Sequence, residues 1–179
     1  MIEVIRSWTP ANRPFVAIGL ALAIALQMAV LAGEYLGSVW PLWYGKPVKL
    51  ETVPLDPRSL FRGNYVRLRY RISAVDKALS RDSFRRGEVA YVRLEKEGDY
   101  HIAVGLQKDR PDSGTFIRGR ITGTGGNYRL NYGIEAYFLP KDKAKQAEKA
   151  VRSGAWADIY LLPSGKAAIA DLHCRQEAC

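Results

Sequence analysis

The charged residues with the clearest potential for ligand binding lie close together in the first half of the chain. Arg58 and Arg62 follow Asp56 in a short segment that begins with a predicted turn at Pro57. Two guanidinium forks on one loop can hold a carboxylate or a phosphate through paired hydrogen bonds. The pattern therefore indicates a binding site for an anionic group. The predicted binding residues are Asp56, Arg58, Arg62, Asn64, Tyr65, Tyr70, Glu135 and Tyr137.

The same residues also have a purely structural interpretation. Asp followed by Pro initiates a turn, since proline presets φ and the carboxylate accepts backbone N–H bonds just downstream. Asp56 would then pair with Arg58 or Arg62 to lock the turn, while Tyr65 and Tyr70 pack in the core. The sequence leaves both interpretations open.

Sequence motifs of catalysis and metal binding are absent. No serine lies in a G-x-S-x-G turn, and the two histidines suggest no triad. No glycine-rich run matches a P-loop, and no spacing of His, Asp and Glu matches a metal site. The sequence thus predicts no catalytic residue, metal or cofactor, and favours a binding role. The alternative is a membrane-tethered enzyme acting on an anionic envelope substrate, with Arg58 and Arg62 as a clamp and Asp56 or Glu135 as acid or base.

An alternating strand follows the candidate site. Apolar residues occupy every second position from 66 to 72, with arginines between them, which is typical of a strand with one buried face. The buried face is Val66, Leu68, Tyr70 and Ile72, and the outward face is Arg67, Arg69 and Arg71. The arginine row either meets an anionic surface or partner, or is a solvated face that discourages edge-to-edge association.

A shorter stretch from Gly126 to Tyr132 echoes the stretch from Gly63 to Tyr70, since both begin Gly-Asn-Tyr and end in tyrosine. Duplication would place the two in equivalent positions of paired hairpins. Coincidence in a tyrosine-rich β protein is the simpler interpretation.

Residues 56–70 read DPRSLFRGNYVRLRY, which resembles the DPRxLFRGDYxxLxY signature of the bacterial GDYXXLXY family. Residues 132–135, 137–138 and 165–167 resemble the second half of that family, so the resemblance covers about residues 45–172. It implies a small membrane-anchored envelope protein, often encoded beside multi-spanning membrane proteins, with no known activity.

One residue departs from the family signature, because its aspartate is Asn64 here. An amide cannot take a proton or neutralise a cation as a carboxylate does. A catalytic or metal-binding role of this position would therefore be lost, whereas a role in forming the turn would be kept.

An apolar run without charges extends from Phe15 to Gly33. As a helix it is about 30 Å long, which is close to the thickness of the hydrocarbon core of a bilayer. Arg6 and Arg13 precede it, so the positive-inside rule places the N-terminus in the cytoplasm and the rest of the chain outside. Tyrosines and tryptophans of an interfacial type follow, and Pro41 predicts that no continuous helix passes through them.

The predicted organisation has five parts: a cytoplasmic tail (1–14), a transmembrane anchor (15–33), a juxtamembrane linker (34–47), an extracytoplasmic β domain (48–172) and a C-terminal tail (173–179). A cleavable signal peptide is the alternative, since small residues precede Gly33, but the apolar run is longer than such peptides carry. The expected location is the bacterial inner membrane, with the C-terminal domain in the periplasm.

The predicted fold class is mainly β, with one N-terminal transmembrane helix and a mostly antiparallel β domain that includes one or two short helices. Hydrophobic alternation predicts a first strand and three hairpins. Their ranges are 48–53, then 88–94 with 100–106, 116–121 with 128–134, and 156–162 with 167–172. A helix is predicted over 140–152, and a short helix or turn within 74–86.

The net charge of +9 favours anionic partners. Outside the cytoplasm these are lipid headgroups, acidic glycans or acidic protein surfaces. The predicted partners are a multi-spanning membrane protein and, through residues 15–33, the lipid bilayer; an anionic ligand is compatible with the charge. No nucleic-acid partner is predicted. Cys174 and Cys179 are expected to form a disulfide or remain thiols; the alternative is a metal or redox site with His173.

Overall fold

The computed structural model of the protein describes residues 13–53, 65–138 and 154–174. It forms two compact units, residues 1–39 and residues 40–179. Helix α1 covers Arg13–Tyr44, and ten strands follow it in the described part of the chain. The strands are β1 (Lys46–Glu51), β2 (Tyr65–Arg67), β3 (Ala74–Val75), β4 (Val89–Glu97), β5 (Tyr100–Gln107), β6 (Thr115–Gly123), β7 (Tyr128–Asn131), β8 (Ala136–Phe138), β9 (Ala155–Leu161) and β10 (Ala167–Cys174).

Helix α1 is long and apolar enough to cross a membrane. The qualifying stretch, Pro14–Tyr44, has 31 residues, and an 18-residue window within it has a mean hydropathy of 2.5. Its large side chains, such as Leu22 and Leu26, are exposed rather than packed in a protein core. These properties are compatible with a single-pass membrane anchor.

The helix does not stop before Pro41, so the expectation of a break there is wrong. Proline costs a helix one N–H donor, but Pro41 stands only three residues before the helix ends at Tyr44. Its own carbonyl accepts a helical bond from Gly45 N at 2.8 Å. The Pro41 ring is also buried, so packing compensates for the missing hydrogen bond.

The β unit consists of three antiparallel sheets. Their strand orders are β1-β9-β10, β2-β8 and β3-β7-β6-β4-β5. The three hairpins β4-β5, β6-β7 and β9-β10 confirm the predicted pairs. The predicted fold class, an N-terminal apolar helix with a mostly antiparallel β domain, is confirmed. Between residues 74 and 86 the chain forms β3 and a single 3-10 turn, Lys77–Leu79, and the helix predicted over 140–152 lies outside the described residues.

The alternation from 66 to 72 is confirmed in burial, but the strand is shorter than predicted. Val66, Leu68, Tyr70 and Ile72 are buried while the arginines between them are exposed. Only Tyr65–Arg67 pairs as a strand, because its partner β8 has three residues. At Tyr70 the chain turns into a 3-10 segment, Arg71–Ser73, in which Ser73 Oγ accepts from Tyr70 N at 3.2 Å.

Gly45 is a tightly packed position, and substitution there tests the packing. A Cβ at this position would collide with the Pro41 carbonyl oxygen and lie 2.8 Å from Tyr160 Cβ. We expect Gly45→Ala to lower the free energy of unfolding by about 1–3 kcal/mol, the usual cost of overpacking. Urea unfolding of the detergent-solubilised protein measures it.

The matched control for that substitution is Gly125→Ala, since a Cβ at Gly125 meets no atom within 4 Å. The control should be neutral or slightly stabilising, because alanine restricts the unfolded chain more than glycine does. Equal stability of the two variants would contradict the packing described at Gly45.

Candidate anion-binding cleft

An open cleft with a volume of about 770 Å³ lies beside the segment that carries the arginine row. Its walls come from Val53 after β1, the segment from the last residue of β2 to Ala74, the β6-β7 hairpin and Glu135. Its floor is apolar, because Leu68, Tyr70 and Leu130 are all buried. The charged and polar lining residues are Arg67, Arg69, Arg71, Ser73, Thr122, Arg129, Asn131 and Glu135.

Four arginines line this cleft, and their side chains are exposed. Arg71 Nε pairs with Glu51 Oε2 at 2.9 Å, so its charge is partly neutralised. Within the described residues, no carboxylate lies within ion-pair distance of Arg67 or Arg129. Among the described residues, no carboxylate therefore occupies the N–H donors of these two guanidinium groups, which can bind a ligand.

Among the described residues that line the cleft, Glu135 is the single carboxylate, and its oxygens accept hydrogen bonds from the backbone. Oε1 accepts from Tyr132 N at 2.6 Å, and Oε2 accepts from Gly133 N at 2.9 Å. These two hydrogen bonds fix the Glu135 side chain in the turn. The arrangement assigns Glu135 first to the structure of the turn, and the described residues that line the cleft carry an excess of positive charge.

The two wall segments share the pattern Arg-Leu-X-Tyr-X-Ile, at residues 67–72 and 129–134. Tyr70 Oη donates to the carbonyl of Ile134 at 2.6 Å, and Tyr132 Oη donates to the carbonyl of Ile72. Each tyrosine therefore donates a hydrogen bond to the isoleucine of the other segment. The sequence echo therefore marks two segments that hold each other reciprocally and place Arg67 and Arg129 in one cleft.

Both tyrosine hydroxyls are held in a low-dielectric environment. Burial raises the pKa of Tyr70 far above its ordinary value, and the negative charge of Glu135 raises it further. The pKa of Tyr132 is raised in the same way, by burial first and by Glu135 second. The two residues are therefore neutral hydrogen-bond donors beneath the cleft and not ligands for an anion.

The predicted site residues fall into three groups. Asp56, Arg58, Arg62 and Asn64 lie outside the described residues, and Tyr65 is described only by its backbone, opposite Phe138 in the β2-β8 pair. Tyr70 and Glu135 are brought to the cleft, one in its floor and one in its wall. The Tyr137 side chain lies elsewhere, with its hydroxyl 3.5 Å from Asp171 Oδ1. The binding role of the set stays a prediction.

Sequence reasoning did not include Arg129 or Thr122 in the candidate site. The sequence did contain a signal for Arg129. The pattern Arg-Leu-X-Tyr-X-Ile occurs twice, and Arg129 is the first residue of the second copy, as Arg67 is of the first. Thr122 carried no signal, since a threonine on a strand is common and its place beside the arginines depends on the pairing of β6 with β7.

A second polar cluster lies on the outer face of the β1-β9-β10 sheet. His173 Nε2 is 3.0 Å from Asp158 Oδ2, and the His173 ring stacks on Trp156 with centroids 5.5 Å apart. Within the described residues, no group of three His, Cys, Asp or Glu side chains could hold a metal ion. The side chains of both cysteines lie outside the description, so the suggested cysteine site is not tested.

The cleft has the composition of a receptor for an anionic group. Guanidinium groups bind carboxylates and phosphates in paired hydrogen bonds, and hydroxyl and amide side chains add donors beside them. A buried apolar floor fixes the shape of the site, and its open mouth admits a group carried by a larger molecule.

Comparison with known protein families matches residues 27–172 to a model described as GDYXXLXY protein. The match covers most of the chain, including α1 from residue 27 and every described strand up to the last residues of β10. No curated protein and no solved structure matches the sequence.

Proposed function

This chain belongs to the GDYXXLXY family, and we propose that it is a membrane-anchored binding or accessory protein that associates with an integral membrane partner. In this proposal α1 is a single-pass anchor in the bacterial inner membrane, and the β domain faces the periplasm. The arginine cleft, lined by Arg67, Arg69, Arg71 and Arg129, receives an anionic group of a multi-spanning partner.

The observation that carries the proposal is the pair of arginines without ion-pair partners in the described structure. Exposed guanidinium groups repel one another at short range, so a cleft that collects four of them is electrostatically suited to an anion. Arg71 is balanced by Glu51, but Arg67 and Arg129 have no such neighbour among the described residues. Binding a carboxylate or phosphate would supply the missing charge.

The membrane location rests on two features of the sequence. Helix α1 is long and apolar enough to span a bilayer. Arg6 and Arg13 flank its start while Glu34 follows the most apolar part, which is the asymmetry of a segment whose N-terminus stays in the cytoplasm. Periplasmic exposure makes an acidic protein segment or an envelope anion the expected ligand, rather than nucleic acid.

Charge reversal in the cleft tests the proposal. The full chain, Arg67→Glu/Arg129→Glu and a control are purified by affinity from native membranes in mild detergent, and the co-purified proteins are identified by mass spectrometry. We expect the double variant to lose its partner, because breaking a close charge pair costs about 2–5 kcal/mol, or at least about thirtyfold in affinity.

The matched control is Arg85→Glu/Arg86→Glu, which makes the same change of charge in an exposed turn away from the cleft. The control should retain the partner, and circular dichroism should show that both double variants keep their strand content. A partner retained by the cleft variant at wild-type yield would rule out the cleft as the contact surface.

A further inference from the structure

A second, smaller groove lies beside Tyr44, wholly within the unit that begins at residue 40. Its volume is about 240 Å³, and most of its lining is carbon. The side chains that matter are those of Tyr44, Lys46, Thr115, Phe116, Leu162 and Pro163. The groove thus combines an apolar surface with one cation at its rim.

The cation is held in place by a neighbouring strand. Lys46 Nζ donates to Thr115 Oγ1 at 3.1 Å, which links the first residue of β1 to the first residue of β6. An ammonium group has three N–H donors, so two remain for a ligand above the groove. The Lys46 side chain is otherwise exposed. Such a group is suited to a phosphate oxygen beside an apolar surface.

The position of the groove relative to the end of α1 points to its occupant. Trp40, Trp43 and Tyr44 are 46%, 63% and 67% exposed. Amphipathic rings of this kind sit at the headgroup level of a bilayer, where the ring body meets carbon and the polar atom meets water. Tyr44 also forms a wall of the groove, and Gly45 alone separates it from Lys46.

We propose that this groove docks on the phospholipid headgroup layer of the membrane, with its apolar lining against glycerol and the first acyl carbons and Lys46 on a lipid phosphate. The inference rests on the membrane anchoring proposed for α1, and it adds a lipid-contacting surface on the β domain itself. The tight packing at Gly45 supports this inference. Gly45 leaves no room for a side chain, so it holds Lys46 close to the aromatic residues at the end of α1.

The groove and the arginine cleft are separate sites. Thr115 begins β6 and lines the groove, whereas Thr122 stands near the end of β6 and lines the cleft. Seven residues of a strand extend over about 23 Å. A phospholipid held at the groove therefore does not fill the cleft, which remains available to a different anionic ligand.

Site-specific photocrosslinking tests the inference on the full chain. The photoreactive amino acid p-benzoylphenylalanine replaces Leu162 at the groove, Asn127 in the β6-β7 turn, or Leu22 in the middle of the apolar helix. Each variant is placed in nanodiscs of phosphatidylethanolamine and phosphatidylglycerol, irradiated, and analysed for lipid adducts by intact-mass spectrometry. A fourth variant at Pro163 repeats the measurement in case the Leu162 variant fails to fold.

We expect lipid adducts at Leu22 and at Leu162 or Pro163, and none at Asn127. Adducts at Leu22 without adducts at either groove position would overturn the inference while leaving the anchor intact. Their absence at Leu22 would remove the anchor and the inference together. The first result leaves the proposed function and its partner test with Arg67 and Arg129 untouched, whereas the second also removes the anchor from the proposed function, so the two failures are distinguishable.

The lysine contact is tested in the same nanodiscs. Lys46→Glu should lower the adduct yield at Leu162, because a carboxylate at the rim repels lipid phosphate. Lys77→Glu makes the same change on an exposed residue whose ammonium lies over the Tyr128 ring, and it should leave the yield unchanged. An unchanged yield in Lys46→Glu would contradict the phosphate contact.

Discussion

Replacing Tyr70 by alanine should lower the free energy of unfolding of the β domain by about 3–5 kcal/mol, the range found for large aromatic residues in cores. Tyr70 is 1% exposed and is among the largest fully buried side chains. Its removal leaves a cavity below the cleft and also leaves the Ile134 carbonyl without its hydroxyl donor. Urea unfolding in detergent, followed by circular dichroism, measures the loss.

Two further variants separate the packing of Tyr70 from its hydrogen bond. Tyr70→Phe keeps the ring but removes the donor, and it should cost about 1–3 kcal/mol, the penalty for an unsatisfied buried carbonyl. Phe138→Ala removes an aromatic ring that is 74% exposed on the neighbouring strand β8, and it should change stability by less than about 0.5 kcal/mol. A Tyr70→Ala variant as stable as Phe138→Ala would refute the structural role of Tyr70.

The location of the cleft links this stability to binding. Leu68, Tyr70 and Leu130 form the floor, and Arg67 and Arg129 each precede one of the floor leucines in the chain. Alternation along an extended backbone sends successive side chains to opposite faces, so burying the leucine exposes the arginine. The same contacts that stabilise the core therefore fix the two guanidinium groups, and variants that loosen the floor should weaken binding as well.

Much of the fold could be predicted from the sequence, because its local signals were strong. The period-2 alternation of the three hairpins and the turns between them act over a few residues, and each hairpin pairs with its sequence neighbour. The pairing of β1 with β9 and of β2 with β8 joins distant segments and carries no local signal. The helix through Pro41 was missed because propensity was overridden by the burial of that proline.

The candidate site was predicted less completely. The sequence identified the arginine row of 67–71 as one possible contact surface, but it could not show that Arg129 faces the same cleft. That placement depends on the two tyrosine hydrogen bonds, which connect segments about sixty residues apart. Glu135 was predicted as a binding residue, with an acid or base role only in the enzyme alternative; the sequence did not show that its carboxylate accepts hydrogen bonds from two backbone N–H groups. The spacing of residues in the sequence does not predict a turn in which a side chain accepts from the backbone in this way.

The buried tyrosine pair also predicts an unusually steep loss of stability at alkaline pH. Burial raises the pKa of both Tyr70 and Tyr132 in the folded state, whereas in the unfolded chain a tyrosine ionises near pH 10. Above that pH the unfolded state releases two protons that the folded state keeps. The unfolded state therefore binds fewer protons, and stability falls as pH rises. Below about pH 10 both tyrosines are neutral in the folded and the unfolded state, so their full contribution to the free energy of unfolding is present.

Each tyrosine should remove about 1.4 kcal/mol per pH unit above about pH 10, so the pair removes about 5 kcal/mol by pH 12. Urea unfolding between pH 8 and 12 measures the slope. Tyr70→Phe/Tyr132→Phe is less stable at pH 8 but should lose the steep alkaline decline. Tyr35→Phe/Tyr44→Phe removes two tyrosines that are each 67% exposed, and it should keep the decline. Equal slopes in the two double variants would show that the buried pair is not its source.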